Sequence, residues 1–524
     1  MAVLPGIVRL RPVVFLLLAA ATRAGRAAGA GDPPVVAVTG GSIRGAALGD
    51  APGAVFKGIP FAAPPLGELR WREPMPVVSW PGVRDAVVSG PPAMQPAAGW
   101  NDRMAAAGSE DCLYLDVWTP DRDPPAPAAV MVWFHGGGNV AGSGGFDPLY
   151  DGRPLVRHGV VLVVVEYRLG VFGFLSLPGL TRESPHHASG NYGILDQVAA
   201  LQWVHDNIAA FGGDAGNVTI FGQSAGATDV VALMATPLSA GLFTHAISES
   251  GSLAPQATQT QADAERAGTA AAALAVPGAS RPLAALRALP AAAILKLKFG
   301  RAFTTDGWVF PVSPLEAWRS HREAPVPLLI GSNAVEFAAS GLTPEVPTFL
   351  RGMFGALAPR ARALYRLGAT PPPVDPIYGT PADQLGSDFF RCVSVVYGEW
   401  HTQAGAACWQ YQFDRAIPPH AQVAHSGDLP YVFGHLSKTS PIPGDYDATD
   451  RKLSAEIETY WTNFAKTGNP NGPGVPLWAP YGHSGRHYLD FTAAGDTVAA
   501  DNERAPFREL FRALMEQPVP PPAD

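Results

Sequence analysis

Apolar residues along this chain gather in short β-branched runs and longer alanine- and leucine-rich ones. Val130-Met131-Val132-Trp133-Phe134, Asn217-Val218-Thr219-Ile220-Phe221, Leu328-Leu329-Ile330 and Cys408 to Phe413 are of the first kind and predict buried strands. The stretch Ala225 to Ala235 is rich in Ala with Leu and Met and predicts a buried helix. Residues 387–404 also read as helical, as do Ala262 to Leu297 and Val346 to Leu367, which are placed to roof a cleft. Pro371-Pro372-Pro373 to Pro381 reads as a proline-rich loop, and Arg182 with Glu183 as a solvated loop.

Between one strand and one helix lies Phe221-Gly222-Gln223-Ser224-Ala225-Gly226. This is Gly-x-Ser-x-Gly in the setting a nucleophile elbow requires, a strand turning sharply into a helix. Glycine is needed at 222 and 226 because the turn is strained and the helix must lie close against the strand. Ser224 then sits at the tip with its hydroxyl exposed, as a candidate nucleophile.

A nucleophilic serine needs donors for the charge that develops on a carbonyl oxygen. The strand at Val130–Phe134 runs into His135-Gly136-Gly137-Gly138, whose bare backbone lets N–H groups approach an oxyanion closely. The residue after the nucleophile, Ala225, supplies a further donor. A base and an orienting carboxylate must follow, in the order Ser, acid, His. Glu336 ends the loop after Leu328-Leu329-Ile330, at the kind of strand end where catalytic groups of open α/β sheets gather. Thirteen histidines compete for the base. His425 stands out and His420 is its nearest rival; spacing leaves both open.

The chain resembles the type-B carboxylesterases, the α/β-hydrolase family that includes the cholinesterases. Phe56-Lys57-Gly58-Ile59-Pro60-Phe61-Ala62 with Leu69-Arg70-Trp71 is similar to the family's N-terminal signature, and Ser109-Glu110-Asp111-Cys112-Leu113 to its second. Tyr167-Arg168-Leu169-Gly170, Gly190-Asn191-Tyr192-Gly193, Phe211-Gly212-Gly213-Asp214 and Tyr460-Trp461-Thr462-Asn463-Phe464 follow in the family order. The resemblance implies a central, mostly parallel sheet with helices on both faces and helical insertions roofing an active-site gorge. It further implies Ser224 as nucleophile, Glu336 as acid and His425 as base, since the family's histidine precedes an acidic-Leu-x-Tyr-x-Phe-Gly stretch. Gly137, Gly138 and Ala225 become the oxyanion donors. The implied activity is hydrolysis of a small-molecule carboxylic ester without a cofactor. Amide or lactone hydrolysis by the same triad is the near alternative, and a non-catalytic binding protein on this fold the distant one.

Three positions depart from the family. Residue 223 is often Glu and is Gln here, which removes a negative charge from the gorge. Asn139 stands where an aromatic is common, so both Gln223 and Asn139 are read as pocket residues. Phe337 replaces a glycine that often follows the acid. The family often pairs the cysteine of the second signature with one upstream, but here Pro92-Ala93-Met94-Gln95 offers Cys112 no thiol. Cys392 and Cys408 could pair only if a turn brought them together.

Charge and targeting complete the picture. Residues 1–30 carry Arg9 and Arg11, an apolar run Val13 to Ala21 and small residues near Ala30, the pattern of a secretory signal peptide. The expected enzyme domain is 31–524, secreted or periplasmic, with no membrane span. Removing the four arginines of residues 1–30 takes the net charge from -8 to −12, leaving no electrostatic case for nucleic acid or an anionic membrane. No metal-ligand spacing occurs, and His186-His187 reads as a solvated pair.

Overall fold

The computed structural model describes residues 33–517, apart from 50–52, 147, 252, 255–256, 298, 300–301, 338–345, 418–419, 440, 483–484 and 502–503. The expected signal segment lies outside the described residues. Eleven strands form the main sheet: β1 (Ala46–Ala47), β2 (Ala54–Pro60), β3 (Tyr114–Thr119), β4 (Ala128–Phe134), β5 (Val161–Val165), β6 (Gly213–Gln223), β7 (His245–Glu249), β8 (Leu328–Asn333), β9 (Cys408–Phe413), β10 (His487–Phe491) and β11 (Thr497–Asp501). In space their order is β11-β10-β9-β8-β7-β6-β4-β5-β3-β2-β1. From β10 to β5 every neighbouring pair is parallel, with antiparallel strands added at both edges.

The predicted strands are buried because the sheet is covered on both faces. Side chains alternate between two cores. Val130, Val132, Phe134, Ile220 and Ile330 belong to one, while Met131, Trp133, Phe221, Leu329 and Trp409 belong to the other. The first core takes in α1 (Tyr192–Asn207), α2 (Ala225–Ala235) and α4 (Pro381–Gln403) through residues such as Leu201, Val230 and Val396. The second takes in α5 (Ala448–Thr467) through Leu453, Ile457 and Trp461. Ion pairs tie these segments together: Arg70 of the first signature to Glu110 of the second at 2.6 Å, and the buried pair Arg168 to Asp196 at 2.7 Å.

Helix α2 matches its expected span, and α4 starts earlier than expected, at a capping box formed by Thr380 and Asp383. The helix expected over Ala262 to Leu297 is broken into α3 (Gln261–Ala275), Pro282–Arg287 and Ala291–Ile294. Gly278 in a left-handed conformation, Pro282 and Pro290 make continuation impossible. Likewise Val346–Phe354 and Ala358–Leu364 are separated by a short 3-10 turn. Arg182 and Glu183 are exposed as expected but do not form a loop. They close the short helix Pro178–Glu183, and Glu183 reaches the buried Arg287 at 2.9 Å.

Cys112, Cys392 and Cys408 are buried and are not joined in disulfides. The segment Pro92-Ala93-Met94-Gln95, upstream of Cys112, is tied down by Gln95. The Gln95 amide donates to the Gly142 carbonyl at 2.8 Å and accepts from the Gly142 N–H at 2.9 Å. Among the described residues no helix is long and apolar enough to cross a membrane, and no group of His, Cys, Asp or Glu is placed to hold a metal ion.

Candidate active site

Parallel strands point their C-terminal ends to the same side, so the loops leaving β4, β6, β8 and β9 gather at one edge of the sheet. Those loops carry the glycine triplet, Ser224, Glu336 and His425. Ser224 has φ 59° and ψ −121°, a backbone conformation costly for a residue with a side chain. The surroundings hold it there: its N–H donates to the Glu249 carbonyl at 2.9 Å, and its own carbonyl accepts from Thr228 N–H at 3.0 Å. A Cβ on Gly226 would lie 2.0 Å from the Phe134 carbonyl oxygen, so only glycine lets α2 start this close to β4. The expected elbow is present.

The glycine loop lies against it. A Cβ on Gly136 would come 3.0 Å from Ser224 Cβ. Gly137 has φ 106°, and a side chain there would strike the Ala141 carbonyl oxygen at 2.0 Å. Gly137, Gly138 and Ala225 are all partly exposed at this edge, and Ala225 opens α2, where N–H groups have no partner inside the helix.

Glu336 and His425 meet directly. His425 Nδ1 is 2.6 Å from Glu336 Oε2, and the His425 N–H donates to the Glu336 carbonyl at 2.7 Å. The other Glu336 oxygen accepts from the Asn333 N–H at 2.8 Å, and the Glu336 N–H donates to Ser387 Oγ at 3.0 Å. The Asn333 side chain donates to the Ala424 carbonyl at 3.0 Å, so one residue at the end of β8 grips both the acid and the loop of the imidazole. Neither Asn333 nor Ser387 has a motif of its own in the sequence. His420, the rival histidine, is exposed on the loop before His425.

Gln223 is 2% exposed, with its amide nitrogen 3.3 Å from His425 Nε2. It faces the imidazole. Asn139 does not wall a pocket as expected. Its side chain is buried, donating to Asp229 at 2.7 Å and accepting from the Tyr167 hydroxyl at 3.1 Å. The reason is its left-handed backbone, φ 56°, which turns the amide under the glycine loop. Asp229, also bound by Gln197 at 2.6 Å, is pushed up to about 7 by burial.

Acidic groups crowd behind the imidazole. Burial, aided by the charge of Glu336, raises Asp428 to about 6. Burial and the charge of Asp428 raise Glu249 as well. The Tyr411 hydroxyl donates to Asp428 at 3.2 Å and the Trp461 indole to Glu249 at 2.6 Å.

Under the glycine loop, His135 is stacked on Tyr167 with ring centroids 4.5 Å apart, and its Nε2 is 3.9 Å from Glu166. Burial lowers His135 to about 4 and raises Glu166 to about 8, so both are neutral at pH 7. Glu166 also accepts from Ser143 and from the Gly145 N–H. Folding thus favours a protonated Glu166, whereas the unfolded chain ionises it near the ordinary value of about 4.3. Its stabilising effect is complete below that value and is lost as pH rises toward 8. Glu166→Gln cannot ionise, so its melting temperature should fall less steeply than wild type between about pH 4.5 and 8. Parallel melting curves for the two proteins would show that Glu166 does not titrate in this window.

The carboxylesterase family model matches residues 32–344 and 380–507. The chain is 34% identical over 506 residues to fumonisin B1 esterase of Sphingopyxis macrogoltabida, covering 90% of this chain and 89% of that one. It is 34% identical over 540 residues to the liver carboxylesterase of Sus scrofa, covering 90% and 91% respectively. Among solved structures, a PNB esterase superposes with a TM-score of 0.80 at 31% identity, covering 92% of this chain and 99% of that one.

Proposed function

The chain belongs to the carboxylesterase family and is a carboxylic-ester hydrolase; from that premise we propose that it works through an acyl-enzyme carried by Ser224, with His425 as base and Glu336 as the acid that orients it. The observation that carries this reading is the 2.6 Å hydrogen bond between His425 Nδ1 and Glu336, which leaves Nε2 turned toward the residue beside Ser224. As substrate seats, Nε2 exchanges the Gln223 amide for the Ser224 hydroxyl and takes its proton. Ser224 Oγ attacks the ester carbonyl, and the oxygen that becomes negative lies against the N–H groups of Gly137, Gly138 and Ala225. The imidazolium then protonates the departing alcohol. Water, deprotonated by the same nitrogen, cleaves the acyl-enzyme. Glu336 keeps Nδ1 protonated and stabilises the imidazolium throughout.

The working enzyme is residues 31–524, exported after removal of the N-terminal segment argued from Arg9, Arg11 and Val13 to Ala21. An organophosphate tests the chemistry. It should add one phosphoryl group per chain, found on the peptide that contains Ser224, and abolish hydrolysis of p-nitrophenyl acetate in proportion. Label on any other residue with full loss of activity would remove Ser224 from the mechanism.

A further inference from the structure

Phe337 directly follows Glu336, where the family resemblance led to an expected glycine, and it is 50% exposed. A phenyl ring left half in water calls for a reason, and its neighbour supplies one. The Phe337 ring is stacked on His425, with centroids 4.3 Å apart and planes inclined by 29°. Phe390, from α4, also meets the imidazole, at 5.1 Å and 50°, and the two phenyl rings touch at 5.5 Å. Although His425 sits on a surface loop, its side chain is only 14% exposed.

We propose that Phe337 is a positioning residue for His425, forming with Phe390 an aromatic clamp that fixes the imidazole plane and steadies the imidazolium formed during each proton transfer. The hydrogen bond to Glu336 fixes one point of the ring but leaves rotation about that point open. Stacked phenyl rings remove this freedom. The face of an aromatic ring also attracts a cation, so the clamp favours the charged state that both halves of the reaction pass through. The other groups facing the imidazole are the Glu336 carboxylate at Nδ1, the neutral Gln223 amide at Nε2 and the Asp428 carboxyl three residues along, with Glu249 behind it. Unlike these groups, Phe337 and Phe390 can be changed without altering charge or the hydrogen bonds of the triad, and Phe337 is the ring stacked closer to the imidazole.

The proposal rests on His425 being the base, and its test compares Phe337→Leu with Phe337→Tyr. Leucine keeps an apolar cover over the imidazole but has no ring face; tyrosine keeps the face. Phe337→Leu should lower kcat about three- to tenfold, with KM within about twofold of wild type. The acid limb of its kcat/KM profile should move to lower pH, because the imidazolium has lost a stabilising neighbour. Phe337→Tyr should restore both to near wild type. Unchanged kcat and an unchanged acid limb in Phe337→Leu, or a rise in KM alone, would overturn the clamp. A parallel His425→Ala separates the two readings. If that variant is inactive while Phe337→Leu behaves as wild type, the clamp fails and the base stands. If it stays active, the base assignment itself fails.

Discussion

Ser224→Ala should lower kcat for p-nitrophenyl acetate by on the order of 10⁶-fold, the loss that removal of a triad serine produces. The substitution deletes one partly exposed oxygen and keeps the Cβ, so the packing around the elbow is retained. Alanine meets the same strain at φ 59° as serine does, and the main-chain bonds to Glu249 and Thr228 do not depend on the hydroxyl. The melting temperature should therefore hardly change. Residual turnover above water, of about 10³- to 10⁴-fold, would come from the oxyanion donors and binding alone. A variant that keeps more than about a tenth of the activity would show that another group attacks the ester.

His425→Ala should be nearly as damaging, at roughly 10⁵- to 10⁶-fold in kcat, because in the proposed mechanism His425 takes the Ser224 proton and returns it to the alcohol. It also strands the buried Glu336 carboxylate without its 2.6 Å partner, so some loss of stability should accompany it. His420→Ala is the matched control. That side chain is exposed five residues earlier on the same loop, and its replacement should leave kcat within about threefold of wild type. Parallel kcat measurements with melting curves separate chemistry from unfolding. A dead His420→Ala beside an active His425→Ala would reverse the assignment.

Much of this architecture was legible because its signals are local. A β-branched run meeting a buried surface, a glycine pair flanking Ser224 and an Ala-rich segment after it each act within about a dozen residues. The resulting β6, turn and α2 appear where the pattern placed them. The helix expected over Ala262 to Leu297 shows the limit of composition. Alanine favours a helix at each position, yet the prolines at 282 and 290 decide where the chain can continue one. Asn139 shows another limit. Its place after the glycine triplet suggested a pocket wall, but side-chain direction follows from φ 56° and from the waiting carboxylate of Asp229, ninety residues away.

By itself, then, the sequence determined the strands, the elbow, the glycine loop and the family signatures, because periodicity and turn chemistry are properties of neighbours in the chain. It left His420 and His425 equal on spacing; the family resemblance favoured His425, and the fold sets His425 against Glu336 and leaves His420 exposed. The tertiary structure alone decided that Glu336 touches His425, that Gln223 faces the imidazole, and that Asn333, Ser387, Phe337 and Phe390 surround the acid and the imidazole. Those contacts join residues up to 202 apart. They depend on the order in which β4, β6, β8 and β9 lie side by side, which is set by covering both faces of one sheet and by no single segment of chain.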